Sequence, residues 1–297
     1  MLKYIVDAVK KDKYKALWIS HSSISDYLKC PRLYYLRTIY KDLRTNHKIS
    51  IVNPYLTLGQ TVHSVIESLA SLSLEERFKI SPLLKFEEAW QNVSGEKGGF
   101  ENYDEEVLYK EKGVKMIKNI IENPGPVANK AIRIKSENGL PYYWFSESDN
   151  IILCGKIDWL EFLPESDSVH IIDFKTGRIE EDEESLQLPI YLLLTNNLQK
   201  RKVTRASYWY LGSEKGIVTQ KLPDEKESIE KISKIASRIA LARKLNHFKC
   251  PVGGCRYCYP YERILKNEGV WVGVSEYQQD IYMLKKPQPK PIKLQNR

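Results

Sequence analysis

Cys154-Gly-Lys-Ile-Asp158 and Ile171-Ile-Asp173-Phe-Lys175-Thr-Gly177 put one acid at the end of an apolar run, and an acid and a lysine one residue apart in the next run. Side chains two apart along a strand share a face. Asp173 and Lys175 therefore point one way and Phe174 the other. If the two runs pair, Asp158 joins them at one strand edge. Two carboxylates and an ammonium meeting there suit metal-dependent hydrolysis of a phosphodiester. The acids hold a hard divalent cation through oxygen. The cation activates water and stabilises charge on the phosphate, and the lysine orients that water or neutralises the phosphate. Taken alone, Asp-x-Lys at a strand end is commonly a surface ion pair, and Asp158 is commonly a residue capping a turn.

Outward from this stretch, residues 130–136, 141–146, 150–163 and 168–175 alternate or run apolar, with a turn at Glu137-Asn-Gly139. They read as a sheet-forming block. Residues 204–211 and 216–221 read as further strands. Helical spacing marks 22–40, 57–73, 82–92, 103–122, 184–197 and a long basic stretch at 224–246. Ser22 or Ser23 is the expected cap of the first helix, and Pro31 is expected to break it, leaving Cys30 at a turn. Asn123-Pro-Gly-Pro126 stops the fourth. The reading is a mixed α/β fold, a central mixed sheet flanked by helices. Its parts are an N-terminal helical cover at 1–126, a core at 127–222, a closing helix and cysteine cluster at 223–266, and a tail at 267–297. The Pro- and Lys-rich residues from Lys285 are expected to be flexible.

The chain has 297 residues, 42% of them hydrophobic, which is enough for a sizeable core. It has no apolar run of membrane-spanning length and no apolar signal core at its start, so cytoplasmic residence is the expectation. Its 46 basic and 38 acidic residues leave a net charge of +8, a mild excess that suits a polyanion. Nineteen tyrosines and six tryptophans could line a core or stack on unpaired bases. There is no G-x-x-x-x-G-K-[ST] phosphate loop, so duplex unwinding would need a partner.

Four elements occur in order: Gly59-Gln-Thr-Val-His63, Gly155-Lys-Ile-Asp158, Asp173-Phe-Lys175 and Gln187-Leu-Pro-Ile-Tyr191. They resemble the G-x-x-x-H, G-x-x-D, (D/E)-x-K and Q-x-x-x-Y pattern of the RecB-like branch of the PD-(D/E)xK nucleases. AddB-type and CRISPR adaptation nucleases belong to that branch. The resemblance spans about residues 20–266 and implies a restriction-endonuclease-like core. It makes His63, Asp158, Asp173 and the backbone carbonyl of Phe174 ligands of Mg2+ or Mn2+, with Lys175 catalytic. It also places Gln187 and Tyr191, four apart on one helix face, near the metal, positioning the nucleic acid backbone. From the residues alone, His63 could be a packed histidine, Gln187 could bond the sheet edge, and Glu67, one turn beyond His63, reads first as a solvated carboxylate.

Cys250-Pro-Val-Gly-Gly-Cys255-Arg-Tyr-Cys258 is a thiolate cluster with metal-ligand spacing. It lacks a fourth ligand, and Cys30 in Lys29-Cys-Pro-Arg32 is the candidate. Cys154, inside an apolar run, reads as a core residue. The arrangement resembles the iron–sulfur members of the same nuclease branch and implies a structural 4Fe-4S cluster. It departs from their pattern in one respect: Ile264 stands where their last cysteine falls, and Cys250 comes early instead. Zinc is the alternative for four thiolates. The resemblance implies a DNA exonuclease in DNA repair, recombination or CRISPR adaptation, with a helicase or adaptation proteins as possible partners. Closure of the N-terminal helices onto the C-terminal end through Cys30 and Cys250 would roof the metal site, so single-stranded DNA entered from an end is the expected substrate. The other readings are a DNA-binding scaffold without catalysis and an RNA-processing nuclease.

Overall fold

A computed structural model describes residues 12–134, 140–177 and 179–285. The chain enters through β1 (Leu17–Ile19) and α1 (His21–Lys29). Ser20 caps α1: its hydroxyl accepts the Ser23 N–H at 3.2 Å, and the Ser23 hydroxyl accepts the Ser20 N–H at 2.8 Å. The cap thus lies ahead of the expected Ser22 or Ser23, with Ser23 as the reciprocal partner. Pro31 disfavours helical geometry in the residue before it, so Cys30 is extended at φ −169° and ψ 119°. The chain restarts as α2 (Pro31–Tyr34) and a π-helical turn ending at Ile39.

β2 (Lys48–Val52) precedes α3 (Pro54–Leu69), α4 (Pro82–Gln91) and α5 (Tyr103–Glu122). The Asn53 side chain accepts the Leu56 N–H at 3.0 Å and Pro54 opens the first turn, which fixes where α3 starts. β3 (Tyr142–Ser146), β4 (Ile151–Cys154), β5 (Trp159–Leu163) and β6 (Ser168–Lys175) follow. Next come α6 (Gln187–Leu198), β7 (Val203–Tyr210), β8 (Gly216–Gln220) and α7 (Glu225–Lys244). The described chain closes with α8 (Tyr259–Leu265), β9 (Val270–Val274) and β10 (Gln279–Met283).

The central sheet runs β5-β6-β7-β8. β6 is antiparallel to β5 and parallel to β7, and α6 supplies the crossover a parallel pair requires. Alternation along β6 feeds two cores. Val169 and Ile171 join α1, α6 and α7 on one face. Ile172 and Phe174 join Trp159, Trp209 and the apolar sides of α3, α4 and α5 on the other. α6 is apolar on nearly all sides, with Leu188 and the run Ile190–Thr195 buried, as expected of a helix inside the fold. The chain is thus a mixed α/β protein with helices on both faces of a mixed sheet.

The expected run at 150–163 divides at residues 155–158. β4 pairs with β1 and β3 in a second sheet, whereas β5 belongs to the central one. Of the expected strand at 130–136, residues 130–134 follow β5 through a single bridge, Ala131 to Glu161; the expected turn at 137–139 lies outside the described residues. Residues 267–285, expected within the tail, hold the β9–β10 hairpin, and β10 pairs in parallel with β2 to make a third sheet. Backbone hydrogen bonding to a distant strand orders these short segments, whose composition alone does not. The tail residues 286–297 lie outside the described residues.

Candidate active site and cysteine site

The β5–β6 pairing carries Asp158 to the neighbourhood of Asp173. The Phe174 N–H donates to Asp158 Oδ2 at 3.0 Å, and His63 Nδ1 stands 3.3 Å from the same oxygen. α3 delivers His63 because it lies close on the sheet: a Cβ on Gly59 would meet Thr176 Oγ1 at 3.2 Å. Gly155 serves the second approach, since a Cβ there would stand 3.0 Å from Leu194 of α6. Phe174 turns its ring into the opposite layer, 5.6 Å from Trp209. The Asp-x-Lys pair shares a face as alternation requires, with Lys175 Nζ 3.0 Å from Asp173 Oδ2.

Two polar groups result. In the first, ligand atoms of His63, Glu67 and Asp158 all lie within 4.8 Å of one another. Glu67 is thus a member of this group, and it also forms an ion pair with Lys156. The second group surrounds Asp173, which is 2% exposed. Gln187 Nε2 donates to Asp173 Oδ1 at 2.6 Å, Tyr191 Oη is 3.3 Å from that same Nε2, and Lys175 donates to Gln187 Oε1 at 2.5 Å. Gln187 and Tyr191 are both buried, so here they hold the acid and the lysine and present no stacking face to solvent.

Burial, followed by repulsion from Asp158, pushes the Asp173 carboxyl up to about 7 against the pull of Lys175. Burial alone would lower His63, but hydrogen bonding and charge from Asp158, with Asp173 and Glu67, push it up. Burial would likewise lower Lys175, yet Asp173 and Glu181 outweigh it and keep the ammonium charged. Burial and the two aspartates hold the Tyr191 phenol neutral. Protons on Asp173 and His63 and the Lys175 ammonium thus balance charge among these acids. A divalent cation satisfies the same charges, and imidazole and carboxylate oxygens are suitable donors for Mg2+ or Mn2+.

Sequence reasoning missed Glu181, whose carboxylate lies 2.7 Å from Lys175 Nζ. It sits in the acidic run 180–184, which reads as a solvated face, and no local pattern distinguishes it. His21 at the start of α1 was also unseen; burial lowers its pKa, Glu181 opposes, and Lys175 and Lys29 lower it further.

The other predicted site is also assembled. Sγ atoms of Cys30, Cys250, Cys255 and Cys258 lie within 4.8 Å of one another. Leu33, Leu36, Ile49, Tyr261 and Ile264 surround them, so Ile264 packs as core beside the site. Backbone N–H bonding, led by Val252, lowers the Cys250 thiol to about 6, whereas burial raises Cys30 and Cys258. Four converging thiols with one already acidic fit a thiolate-bound metal. Cys154 is apart from them, buried, with its thiol 3.3 Å from the Ile19 carbonyl.

The family profile of the PD-(D/E)XK nuclease superfamily matches residues 18–264. The chain belongs to that superfamily, whose members typically use divalent metals. No protein with a curated description matches it. Among solved structures, one from Eubacterium rectale described as a candidate exonuclease is similar at 12% identity and TM-score 0.49, covering 93% of this chain and 97% of the other. A likeness at that level bears on neither fold nor activity. Among the described residues, no helix is long and apolar enough to cross a membrane.

Proposed function

We propose that this nuclease is a Mg2+- or Mn2+-dependent deoxyribonuclease, an exonuclease with a preference for single-stranded DNA. The observation that carries the reading is the meeting of Asp158, His63, Asp173 and Lys175 at one end of the β5–β6 pair. His63, Asp158, Asp173 and the Phe174 carbonyl would hold the metal, and Glu67 stands close enough to join them. When bound, the metal supplies an activated water and charge stabilisation on the phosphate. Lys175 keeps a positive charge beside the metal ligands, held by Glu181 and Gln187. Gln187 and Tyr191 fix the orientation of Asp173. If the N-terminal helices, tied to the C-terminal segment through Cys30 and the later cysteines, roof the metal site, one flexible strand would enter from a free end more easily than a duplex. The decisive assay compares end-labelled linear, covalently closed single-stranded and duplex DNA, and RNA, with Mg2+ or Mn2+. Loss of the linear single strand with survival of the circle supports the proposal. Equal cleavage of the circle removes the exonuclease assignment, and preferential cleavage of RNA moves the chain to RNA processing. Binding without cleavage would leave a scaffold.

The cysteine site is proposed to be structural, joining α1 and α2 to the segment before α8. Four thiolates suit the 4Fe-4S cluster that the resemblance implies. One observation favours zinc: Cys255 and Cys258 Sγ are 3.7 Å apart, close to the edge of about 3.8 Å expected for a tetrahedral Zn–S4 site with bonds near 2.3 Å. Anaerobic purification separates them, since brown protein with iron and acid-labile sulfide denotes the cluster and colourless protein with stoichiometric zinc denotes the alternative. A role in DNA repair, recombination or CRISPR adaptation, with a helicase or adaptation partner, belongs to this same proposal.

A further inference from the structure

Two cavities flank the candidate active site, and they differ in charge. One, of about 390 Å3, lies between α3 and the segments 131–134 and 156–160. The charged residues lining it are Glu67 and Asp158, both in the candidate metal group, and the exposed cations Arg133 and Lys156. The other, of about 550 Å3, adjoins Glu181 on the far side of Lys175. Its wall carries Glu181, Asp182, Glu183, Glu184, Asp224 and Glu227 against Lys221 and Lys231, and Lys231 is already paired with Glu184 and Glu227. A polyanion is repelled there, whereas the first cavity sets two cations against its two acids, with Arg133 exposed at its rim.

We infer that the first cavity seats one unpaired nucleotide of the substrate strand, next to the phosphate being cut, and that the acidic cavity keeps the strand off the opposite side. The inference rests on the nuclease reading above. The volume is near the lower end of the range of about 300–1,000 Å3 for small-molecule pockets, which suits a single nucleotide and no duplex. Ile132, Ile157 and Pro141 give a base an apolar wall, while Arg133 and Lys156 meet the phosphates. Ser64 and Ser68 keep the α3 side low, each hydroxyl donating to a carbonyl three residues back at 2.8 and 2.7 Å. The outer wall is fixed in place. Ile132 N–H donates to the Leu160 carbonyl at 2.8 Å, and buried Arg77 clamps the Val127 and Asn129 carbonyls at 2.6 and 2.5 Å. Lys156 pairs with Glu67, and would be free to meet a phosphate if Glu67 were to hold the metal.

The test measures binding of a fluorescent oligodeoxythymidylate to the full chain without divalent metal, over a range of salt. Arg133→Glu should weaken binding about tenfold or more and flatten the salt slope by about one. Ser68→Phe, which fills the cavity, should also weaken binding by about tenfold, with an unchanged melting temperature. Glu183→Lys at the acidic cavity should leave affinity equal or tighter. If the wild type cuts DNA and both Arg133→Glu and Ser68→Phe bind like it, the assignment of this cavity is overturned and the nuclease reading stands. A weakening by Glu183→Lys as large as that by Arg133→Glu overturns the choice of side. A wild type that neither binds nor cuts DNA removes the nuclease reading, and this inference with it.

Discussion

Asp173→Asn should make the metal-free protein more stable while abolishing its metal-dependent activity. An acid held at about 7 in the fold and 3.8 in the unfolded chain weakens folding by about 4 kcal/mol at any pH above 7, at about 1.4 kcal/mol per pH unit. The sign follows from proton binding: the folded state holds this proton more tightly. Its contribution is fully present below pH 3.8, is lost as pH rises through 7, and is flat beyond. An amide removes the ionised state and keeps the shape. Its oxygen can still accept from Gln187, but its NH2 would face Lys175 Nζ, now 3.0 Å from Oδ2. Lys175 keeps Glu181 and Gln187, so this penalty is about 1–3 kcal/mol. The net expectation at pH 8 is a gain of about 1–3 kcal/mol, or about 2–5 °C in Tm for a chain of this size. Thermal and urea unfolding in chelator, at pH 8 and pH 5, checks it. The variant should be more stable at pH 8, the difference should shrink at pH 5, and added Mg2+ should raise the Tm of the wild type alone. A variant equal to or less stable than the wild type at pH 8 would refute the claim that Asp173 is ionised at a cost when metal is chelated away.

Metal affinity should fall as pH drops below about 7, because Asp173 and raised His63 must both give up protons; calorimetric titration with Mn2+ showing the same affinity at pH 5.5 and 7.5 would contradict this. Lys175→Ala should reduce cleavage by at least 100-fold with DNA affinity nearly unchanged, since phosphate contacts are spread over many basic residues; a parallel loss of binding would make Lys175 a binding residue instead. Gln187→Ala, which strips hydrogen bonds from buried Asp173 and from Lys175, should cost about 1–3 kcal/mol of stability in urea unfolding, and no measurable loss would mean the pair is held by other groups. Cys30→Ser should lower the metal content of the cysteine site and the Tm together; a stoichiometric metal with unchanged Tm would remove Cys30 from the ligand set.

The legible part of the fold is the part with strong periodicity. β6 could be read from Ile171-Ile-Asp173-Phe-Lys175 because alternation alone fixes which side chains share a face, and α5 and α7 are long enough for their apolar spacing to repeat. The pairing of Asp158 with Asp173 followed from two runs in order. β1, β2 and β10 were invisible because each has three to five residues and owes its extended form to a partner far along the chain, and β9, equally short, is paired only with β10. The break at residues 155–158 was hidden for a related reason: the apolar residues on either side of Gly155-Lys-Ile-Asp158 look alike, but the sheets they serve are different. At the site, one-dimensional patterns singled out His63, Asp158, Asp173, Lys175, Gln187 and Tyr191, which the fold brings close together. They could not find Glu181, because only the turn after β6 brings one member of an acidic run against Lys175. Nor could they decide the duty of Glu67, which depends on how closely α3 approaches the strand edge.

The cysteine site and the β2–β10 pairing bind the same two regions, one early in the chain and one late. Both are contacts of very large sequence separation, which come late in folding. On the ribosome, Cys30 and β2 emerge long before Cys250, Cys255, Cys258 and β10 exist. For that interval a thiol lies beside incomplete packing and β2 offers an unpaired edge, the kind of strand edge that recruits other chains. Synthesis order thus makes α1, α2 and β2 the segment that must wait. A truncation after β8 would expose them permanently, although every residue of the candidate active site precedes it in the chain.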